Sequence, residues 1–152
     1  MYSKLLNRGN NRVCSDCVRV FRSGTRCVHR PHYQGDVRDI LHDGWDMLIA
    51  HPPCTYLAGS GLHWNKRVPG RAALTEEALE FVRLLLTAPI PRIALENPIG
   101  CISSRIRKPD QIIQPWWFGE DASKATCLWL KGLPLLKPTD IIRKARYAKR
   151  AK

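Results

Sequence analysis

The chain has 152 residues, of which 44% are hydrophobic, and this size predicts one small domain with a modest core. Its 25 lysines and arginines exceed its 13 acidic residues, and the resulting net charge of +12 favours a polyanionic partner. No apolar run approaches the ~18 residues of a membrane span, so a membrane protein is not expected. The N-terminus lacks the apolar core of a signal peptide, and the six cysteines are expected as reduced thiols in the cytoplasm.

The chain divides into three predicted segments. Residues 1–33 are basic without a clear hydrophobic period, and they are predicted to be a poorly ordered or altered N-terminal segment. Residues 34–140 are predicted to form an α/β domain, and residues 141–152 a basic tail.

The first segment contains side chains that suit zinc in type and approximate spacing. These potential ligands are Cys14, Cys17, Cys27, His29 and His32. A small zinc site ahead of a basic domain would suit a nucleic-acid-binding protein without catalysis. The alternative is a basic arm with incidental cysteines and no metal, and the chain is not assigned a metal site from this pattern.

A strand and an unusual loop follow in the second segment. The short apolar run Met47–Ala50 predicts a buried strand, which Pro52 and Pro53 end. Cys54 comes directly after them and precedes a Gly-rich loop. Open α/β sheets place their sites beyond the C-terminal ends of strands, so the thiol is well placed to act as a nucleophile. The alternative is a small structural cysteine in a turn, as expected for Cys101 and Cys127.

A helix and a second strand complete a βαβ unit. Helical spacing of apolar residues predicts a helix over residues 75–88, with Thr75 as its N-cap. Residues 93–95 predict a second short strand, ended by Glu96. Because such strands are expected to be parallel, Cys54 and Glu96 should lie at the same edge of a mostly parallel sheet. A thiol and a carboxylate there could serve as nucleophile and general acid or base.

These segments resemble the DNA cytosine-5 methyltransferases. PPCTYLAGSG at 52–61 is similar to the Pro-Cys catalytic loop of that family, and ALENPIG at 94–100 is similar to its Glu-Asn motif. Gly35-Asp36-Val37 resembles the Gly-Asp strand end that contacts the adenosine part of the cofactor. Residues 34–139 further resemble small methyltransferase-like proteins of phages and prophages, which share a Gln-Pro-Trp-x-Phe-Gly segment and a late Leu-Pro-x-Leu-x-Pro-Thr segment.

The resemblance implies a Rossmann-like methyltransferase core that transfers a methyl group from S-adenosylmethionine to cytosine in DNA. Cys54 would add to C6 of the base, Glu96 would stabilise the ring at N3, and Asn97 would orient the loop. The implied cofactor contacts are Asp36, Val37 and Pro53. The target base would have to be flipped out of the duplex. The implied location is the cytosol of a bacterium or of a phage-infected host.

The chain departs from that family ahead of Asp36, where no Gly-rich cofactor loop is found. It also shows no arginine-rich motif and no target-recognition region. The core is therefore expected to be N-terminally incomplete, with weak or absent cofactor binding, and the protein could be an inactive member. Two alternatives stay open: the zinc-containing nucleic-acid-binding protein, and a Cys54–Glu96 enzyme that acts on another base or nucleotide.

Basic and aromatic groups in the remaining sequence suggest contacts with nucleic acid. One basic cluster consists of Arg105, Arg107 and Lys108, and the tail 143–152 is also basic. Together they predict either a surface that binds nucleic acid or a solvated basic face. The aromatic segment 114–119 is predicted to anchor a loop on the core, with base stacking as the alternative. Residues 126–130 predict a strand, and residues 133–136 a short edge segment.

Three side chains flank the candidate thiol, and Lys124 could face the same crevice. His51 and His63 lie on either side of the Cys54 loop, and either could tune the thiol. Trp64 could cover the crevice or pack on the core.

Overall fold

The computed structural model describes residues 18–21 and 35–142, which form an α/β fold around one sheet. Four short 3-10 helices lie in the connections, at Val37–Ile40, Cys54–Tyr56, Gly59–Lys66 and Pro115–Trp117. The strands and α-helices are β1 Val18–Phe21, β2 Met47–Ala50, α1 Arg71–Thr87, β3 Arg92–Pro98, α2 Ile102–Arg105, β4 Gln111–Ile113 and β5 Thr126–Lys131.

In the described part of the chain, the sheet has five strands in the order β1-β2-β3-β5-β4, and it is mixed. Strands β2 and β3 are parallel and α1 connects them, so the predicted βαβ unit is confirmed. The expectation of a mostly parallel sheet is wrong, because β1 pairs antiparallel with β2, and β5 pairs antiparallel with both β3 and β4. The short connection between β4 and β5 contains no crossover α-helix, and parallel neighbours usually need one.

Strand β3 extends further than the sequence predicts. It includes Glu96 and Asn97 and ends at Pro98, because the antiparallel strand β5 continues the ladder as far as the Pro98–Thr126 pair. Side chains alternate along it, with Leu95 and Asn97 buried and Glu96 half-buried. The side chains of Glu96 and Asn97 therefore point to opposite faces of the sheet.

Helix α1 begins at Arg71, four residues before the predicted start. Gly70, with a φ of 78°, precedes it in a left-handed conformation that favours glycine. The prediction of Thr75 as the N-cap is therefore wrong. Thr75 is instead buried inside the helix, and its hydroxyl binds the Tyr56 carbonyl at 3.2 Å.

The core lies between α1 and one face of the sheet. Leu79, Val82 and Leu85 of the helix are fully buried in one apolar cluster with Leu48 and Leu95 of the strands. Full burial of such side chains stabilises the fold by about 1.5–3 kcal/mol each, so this face holds α1 on the βαβ unit.

Residues 133–136 form no strand, although they contact the edge strand β4. The side chain of Gln111 makes this contact: its Nε2 donates to the Leu136 carbonyl at 2.8 Å, and its Oε1 accepts from the Leu136 amide at 2.9 Å. Pro134 and Pro138 cannot donate a backbone hydrogen bond, which disfavours a regular ladder here.

Much of the predicted terminal segments lies outside the described residues. Within residues 1–33 the structure describes β1 alone, and within residues 141–152 only residues 141–142. Across the described part of the chain, no helix is both long enough and apolar enough to span a bilayer.

Candidate active site

The candidate site lies at the C-terminal ends of β2 and β3. Ala50 pairs with Leu95 in the parallel register, so the next residues, His51 and Glu96, are neighbours across the two strands. Pro52 and Pro53 then end β2, and Cys54 begins a 3-10 helix with its thiol exposed. The parallel strands thus bring the predicted nucleophile and carboxylate to one edge of the sheet.

Asn97 fixes the start of the Cys54 loop. Its Nδ2 donates to the carbonyl oxygen of Pro52 at 2.7 Å, across 45 residues of sequence. Asn97 is only 1% exposed, and its Oδ1 is buried without a hydrogen-bond partner in the described part of the chain. Burial of an unpaired acceptor is costly, and the bond to Pro52 is the contact that offsets this cost.

Helix α1 fixes the rest of the loop through two backbone carbonyls. Arg71 donates from Nη2 to the Thr55 carbonyl at 2.9 Å, and its guanidinium lies 4.7 Å from the centroid of the Tyr56 ring. The Thr75 hydroxyl reaches the Tyr56 carbonyl and also accepts from Asn65 Nδ2 at 2.9 Å. The backbone around the thiol is therefore held from the helix that follows it.

The loop also joins the end of β3 through a close approach of two backbones. Gly59 donates to the Ile99 carbonyl and Cys101 donates to the Leu57 carbonyl, each at 2.9 Å. A Cβ atom at Gly100 would lie 1.9 Å from the Leu57 carbonyl oxygen, so glycine is required at this contact.

Glu96 is held from the two strands that flank β3. Its Oε2 lies 3.0 Å from Nδ1 of His51, which follows β2, and its Oε1 accepts a hydrogen bond from the Thr126 hydroxyl of β5. The side chain of Glu96 remains 28% exposed and that of His51 52% exposed. The carboxylate is therefore oriented while still open to a ligand.

His51, which the sequence suggested could tune the thiol, contacts Glu96 instead. Within the described residues, no hydrogen bond joins Cys54 to His51 or to Glu96. The other flanking histidine, His63, packs against Trp64 with ring centroids 4.9 Å apart. Neither partner of Glu96 was predicted from the sequence, although His51 and Glu96 each directly follow a predicted strand, at Ala50 and Leu95, which was a usable signal for the first.

The two buried cysteines near the site are poor nucleophiles. Burial raises the pKa of the Cys127 thiol, and the negative charge of Glu96 raises it further. Burial likewise raises the pKa of the Cys101 thiol. Since the thiolate is the reactive form, Cys54 is the exposed candidate among the described cysteines.

The three residues implied as cofactor contacts occupy different environments. Asp36 caps the 3-10 helix that begins at Val37, and its Oδ1 accepts from the Arg38 amide at 3.0 Å; residues 35–36 form no strand end. The Asp36 side chain is 26% exposed, and a partly exposed carboxylate suits a ribose hydroxyl. Val37 is buried in the core, whereas Pro53 is exposed beside the thiol. Asp36 thus offers a partly exposed hydrogen-bond acceptor, whereas Val37 belongs to the core.

The predicted basic cluster is partly neutralised. Arg105 Nη2 lies 2.9 Å from a carboxylate oxygen of Glu76, and Arg107 Nη2 lies 2.9 Å from one of Asp110. Lys108 is exposed beside them. This cluster is therefore a weaker phosphate-binding candidate than its sequence suggests.

The aromatic segment 114–119 packs as a loop anchor. The Trp116 and Trp117 rings meet edge to face, with centroids 5.9 Å apart, and both residues are half-buried. Their carbonyls accept from the amides of Ile142 and Thr139 at 3.0 and 3.1 Å. Lys124 follows in an exposed loop.

The candidate zinc ligands Cys14, Cys17, Cys27, His29 and His32 lie outside the described residues, as does the tail 143–152. Among the residues that are described, no group of three or more His, Cys, Asp or Glu side chains is arranged to hold a metal ion. Comparisons with protein-family models, with curated proteins and with solved structures found no match. The function must therefore be argued from the site.

Proposed function

We propose that the protein is a DNA cytosine-5 methyltransferase-like protein with an incomplete Rossmann-like core, acting on DNA in the cytosol. The observation that carries the proposal is the arrangement at one sheet edge. An exposed thiol, Cys54, follows one parallel strand, and an oriented carboxylate, Glu96, lies at the end of its parallel neighbour. Asn97, which follows Glu96 on β3, binds the start of the loop that carries Cys54.

The proposed reaction divides the work between these two side chains. The Cys54 thiolate adds to C6 of a flipped cytosine, and the π electrons of the C5–C6 double bond shift to C5 and through C4 toward N3, while the single bond between C5 and C6 remains. Glu96 donates a proton to N3 and so stabilises the charge that develops on the ring. After C5 has taken up a methyl group, loss of the C5 proton to solvent expels the thiolate from C6, and N3 returns its proton to Glu96.

Two neighbours keep Glu96 in the geometry that this reaction needs. The Thr126 hydroxyl occupies one carboxylate oxygen, and the imidazole of His51 lies beside the other. These contacts select one rotamer of a partly exposed side chain, which reduces the entropy lost when the base binds. Asn97 does the same for the loop backbone at Pro52.

S-adenosylmethionine is the proposed methyl donor and would supply an electrophilic methyl group on sulfur. Asp36 would accept hydrogen bonds from its ribose hydroxyls, and Pro53 would border the base site from the loop.

Covalent trapping tests this proposal. S-adenosylmethionine is supplied in large excess, because weak cofactor binding is expected. With DNA that contains 5-fluorocytosine, the thiolate cannot be expelled after methyl transfer, because C5 carries fluorine in place of the proton it must lose. The wild-type protein should therefore form an adduct that survives denaturation. Cys54→Ser should form none, and Glu96→Gln should form it roughly 10²- to 10⁴-fold more slowly.

Cys101→Ala is the matched control, because it removes a described thiol that is buried away from solvent. It should leave the adduct at Cys54 intact. An adduct that persists in Cys54→Ser would contradict the assignment of the nucleophile. Trapping by fluorouracil DNA but not by fluorocytosine DNA would favour the alternative of an enzyme that acts on another base.

A further inference from the structure

The connection between β2 and α1 is one of the cationic stretches in the described part of the chain. Residues 47–75 contain three basic residues and no Asp or Glu; the basic residues are Lys66, Arg67 and Arg71. By contrast, Arg83, Arg105 and Arg107 each lie within 3 Å of a carboxylate oxygen. The segment that carries Cys54 therefore has positive charge and no acidic residue of its own to offset it.

Trp64 lies on this connection, and its side chain is exposed near the basic residues Lys66 and Arg67. It lies on the 3-10 helix Gly59–Lys66 and is 46% exposed, so it does not pack fully on the core. The Arg67 guanidinium lies 5.6 Å from the centroid of the indole, within the range of a cation–π contact. His63 contacts the same indole at 4.9 Å, with the two ring planes inclined by 40°.

The helix that carries Trp64 is fixed relative to the thiol. Gly61 donates to the Ala58 carbonyl at 3.0 Å, and a Cβ atom at Gly61 would lie 3.1 Å from the carbonyl oxygen of Thr55, the residue after Cys54. At the other end of the helix, Asn65 donates to Thr75 inside α1. The indole is therefore presented by a braced segment next to the candidate site.

We propose that Trp64, together with Lys66 and Arg67, forms a stacking platform for an unpaired DNA base beside Cys54. An exposed indole stacks on any base whose face is free, while neighbouring cations attract the phosphates. In an intact duplex the faces are occupied by adjacent pairs, so the platform gives a preference for unpaired DNA. The choice of DNA as partner rests on the proposed function.

Binding measurements on the full chain test the platform. Every protein carries Cys54→Ser, so that no covalent step contributes, and fluorescence anisotropy reports binding of a labelled single strand or of its duplex. Trp64→Ala should weaken single-strand binding by roughly 5- to 100-fold and duplex binding by less than about 2-fold. Trp64→Phe keeps an aromatic face and should retain most of the affinity.

A matched pair of charge variants separates the platform from general attraction. Arg67→Ala and Lys108→Ala each remove one exposed positive charge, but only the first lies beside the indole. Arg67→Ala should weaken single-strand binding several-fold more than Lys108→Ala at the same salt concentration. Equal effects of the two variants would overturn the role of Arg67.

The proposal fails if Trp64→Ala binds the single strand as the parent does, or loses the same factor for both DNA forms. Thermal melting that matches the parent shows that each variant is folded. These outcomes are independent of the trapping experiment, because Cys54→Ser forms no adduct. Platform binding without trapping would overturn the catalytic proposal alone, and trapping without a Trp64 effect would overturn the platform alone.

Discussion

Replacing Gly100 with alanine should separate the Cys54 loop from the end of β3. A Cβ atom at position 100 would lie 1.9 Å from the carbonyl oxygen of Leu57 and 2.9 Å from the Cα of Ala58. Both are backbone atoms, so no change of rotamer can relieve the overlap. The two backbones must move apart by at least about 1 Å to reach the shortest separation that real Cβ atoms show.

This movement breaks the two backbone hydrogen bonds that join the segments, from Gly59 to Ile99 and from Cys101 to Leu57. Each contributes about 0.5–1.5 kcal/mol net, and overpacking adds about 1–3 kcal/mol. Alanine offsets about 0.4–1 kcal/mol of this loss of stability, because its backbone has less conformational entropy than that of glycine in the unfolded chain. We therefore expect Gly100→Ala to lower the free energy of unfolding by about 3 kcal/mol and the melting temperature by about 10 °C.

Gly59→Ala is the matched control, because the same substitution on the opposite side of the same contact meets only the Ile99 carbonyl oxygen, at an ordinary 3.4 Å. It should leave stability unchanged or raise it slightly. Urea denaturation and thermal melting followed by circular dichroism measure both variants. If Gly100→Ala unfolds within about 1 kcal/mol of Gly59→Ala, the close approach does not hold the loop and our account of it is refuted.

Three further predictions concern buried groups. Asn97→Asp should lower the free energy of unfolding by about 3 kcal/mol at neutral pH, more than Asn97→Ala does, because a buried carboxylate cannot donate to the Pro52 carbonyl. Urea denaturation should show this difference between the two variants shrinking at acidic pH, where a protonated carboxyl group can donate again. Iodoacetamide with peptide mapping should label Cys54 well before Cys101 and Cys127, whose thiol pKa values are raised by burial, and equal labelling would contradict this. Since the unfolded state releases these thiol protons first, stability should fall as the pH rises above the ordinary thiol value of 9.0.

Local sequence patterns predicted the parts of the fold that depend on short-range order. The apolar run before Pro52 gave β2, and the strand–helix–strand order gave the parallel pair that brings Cys54 and Glu96 to one edge. The true start of α1 was missed, because the helix begins after a left-handed glycine and buries Thr75 against the loop. A threonine followed by glutamates has the same sequence pattern whether it caps a helix or lies within one.

Long-range pairing was beyond those patterns. The direction of β5 depends on its connection to β4, and the extension of β3 through Asn97 depends on β5 as a partner. The bond from Thr126 to Glu96 spans 30 residues and follows from that register. The net charge likewise could not show which basic side chains form ion pairs, such as Arg105 with Glu76.

The way the site is braced explains how an exposed thiol can still be positioned. The donors that fix the loop bind its carbonyl oxygens: Asn97 binds that of Pro52, and Arg71 binds that of Thr55. These bonds orient the peptide planes that follow Pro52 and Thr55, one before and one after Cys54, without engaging its sulfur. Glu96 is fixed in another way, because His51 and Thr126 bind its carboxylate directly and so select its rotamer. A sulfur free of hydrogen bonds can form a new bond, and an oriented carboxyl group is aimed at a bound ring, so these two kinds of bracing suit the roles that we propose for Cys54 and Glu96.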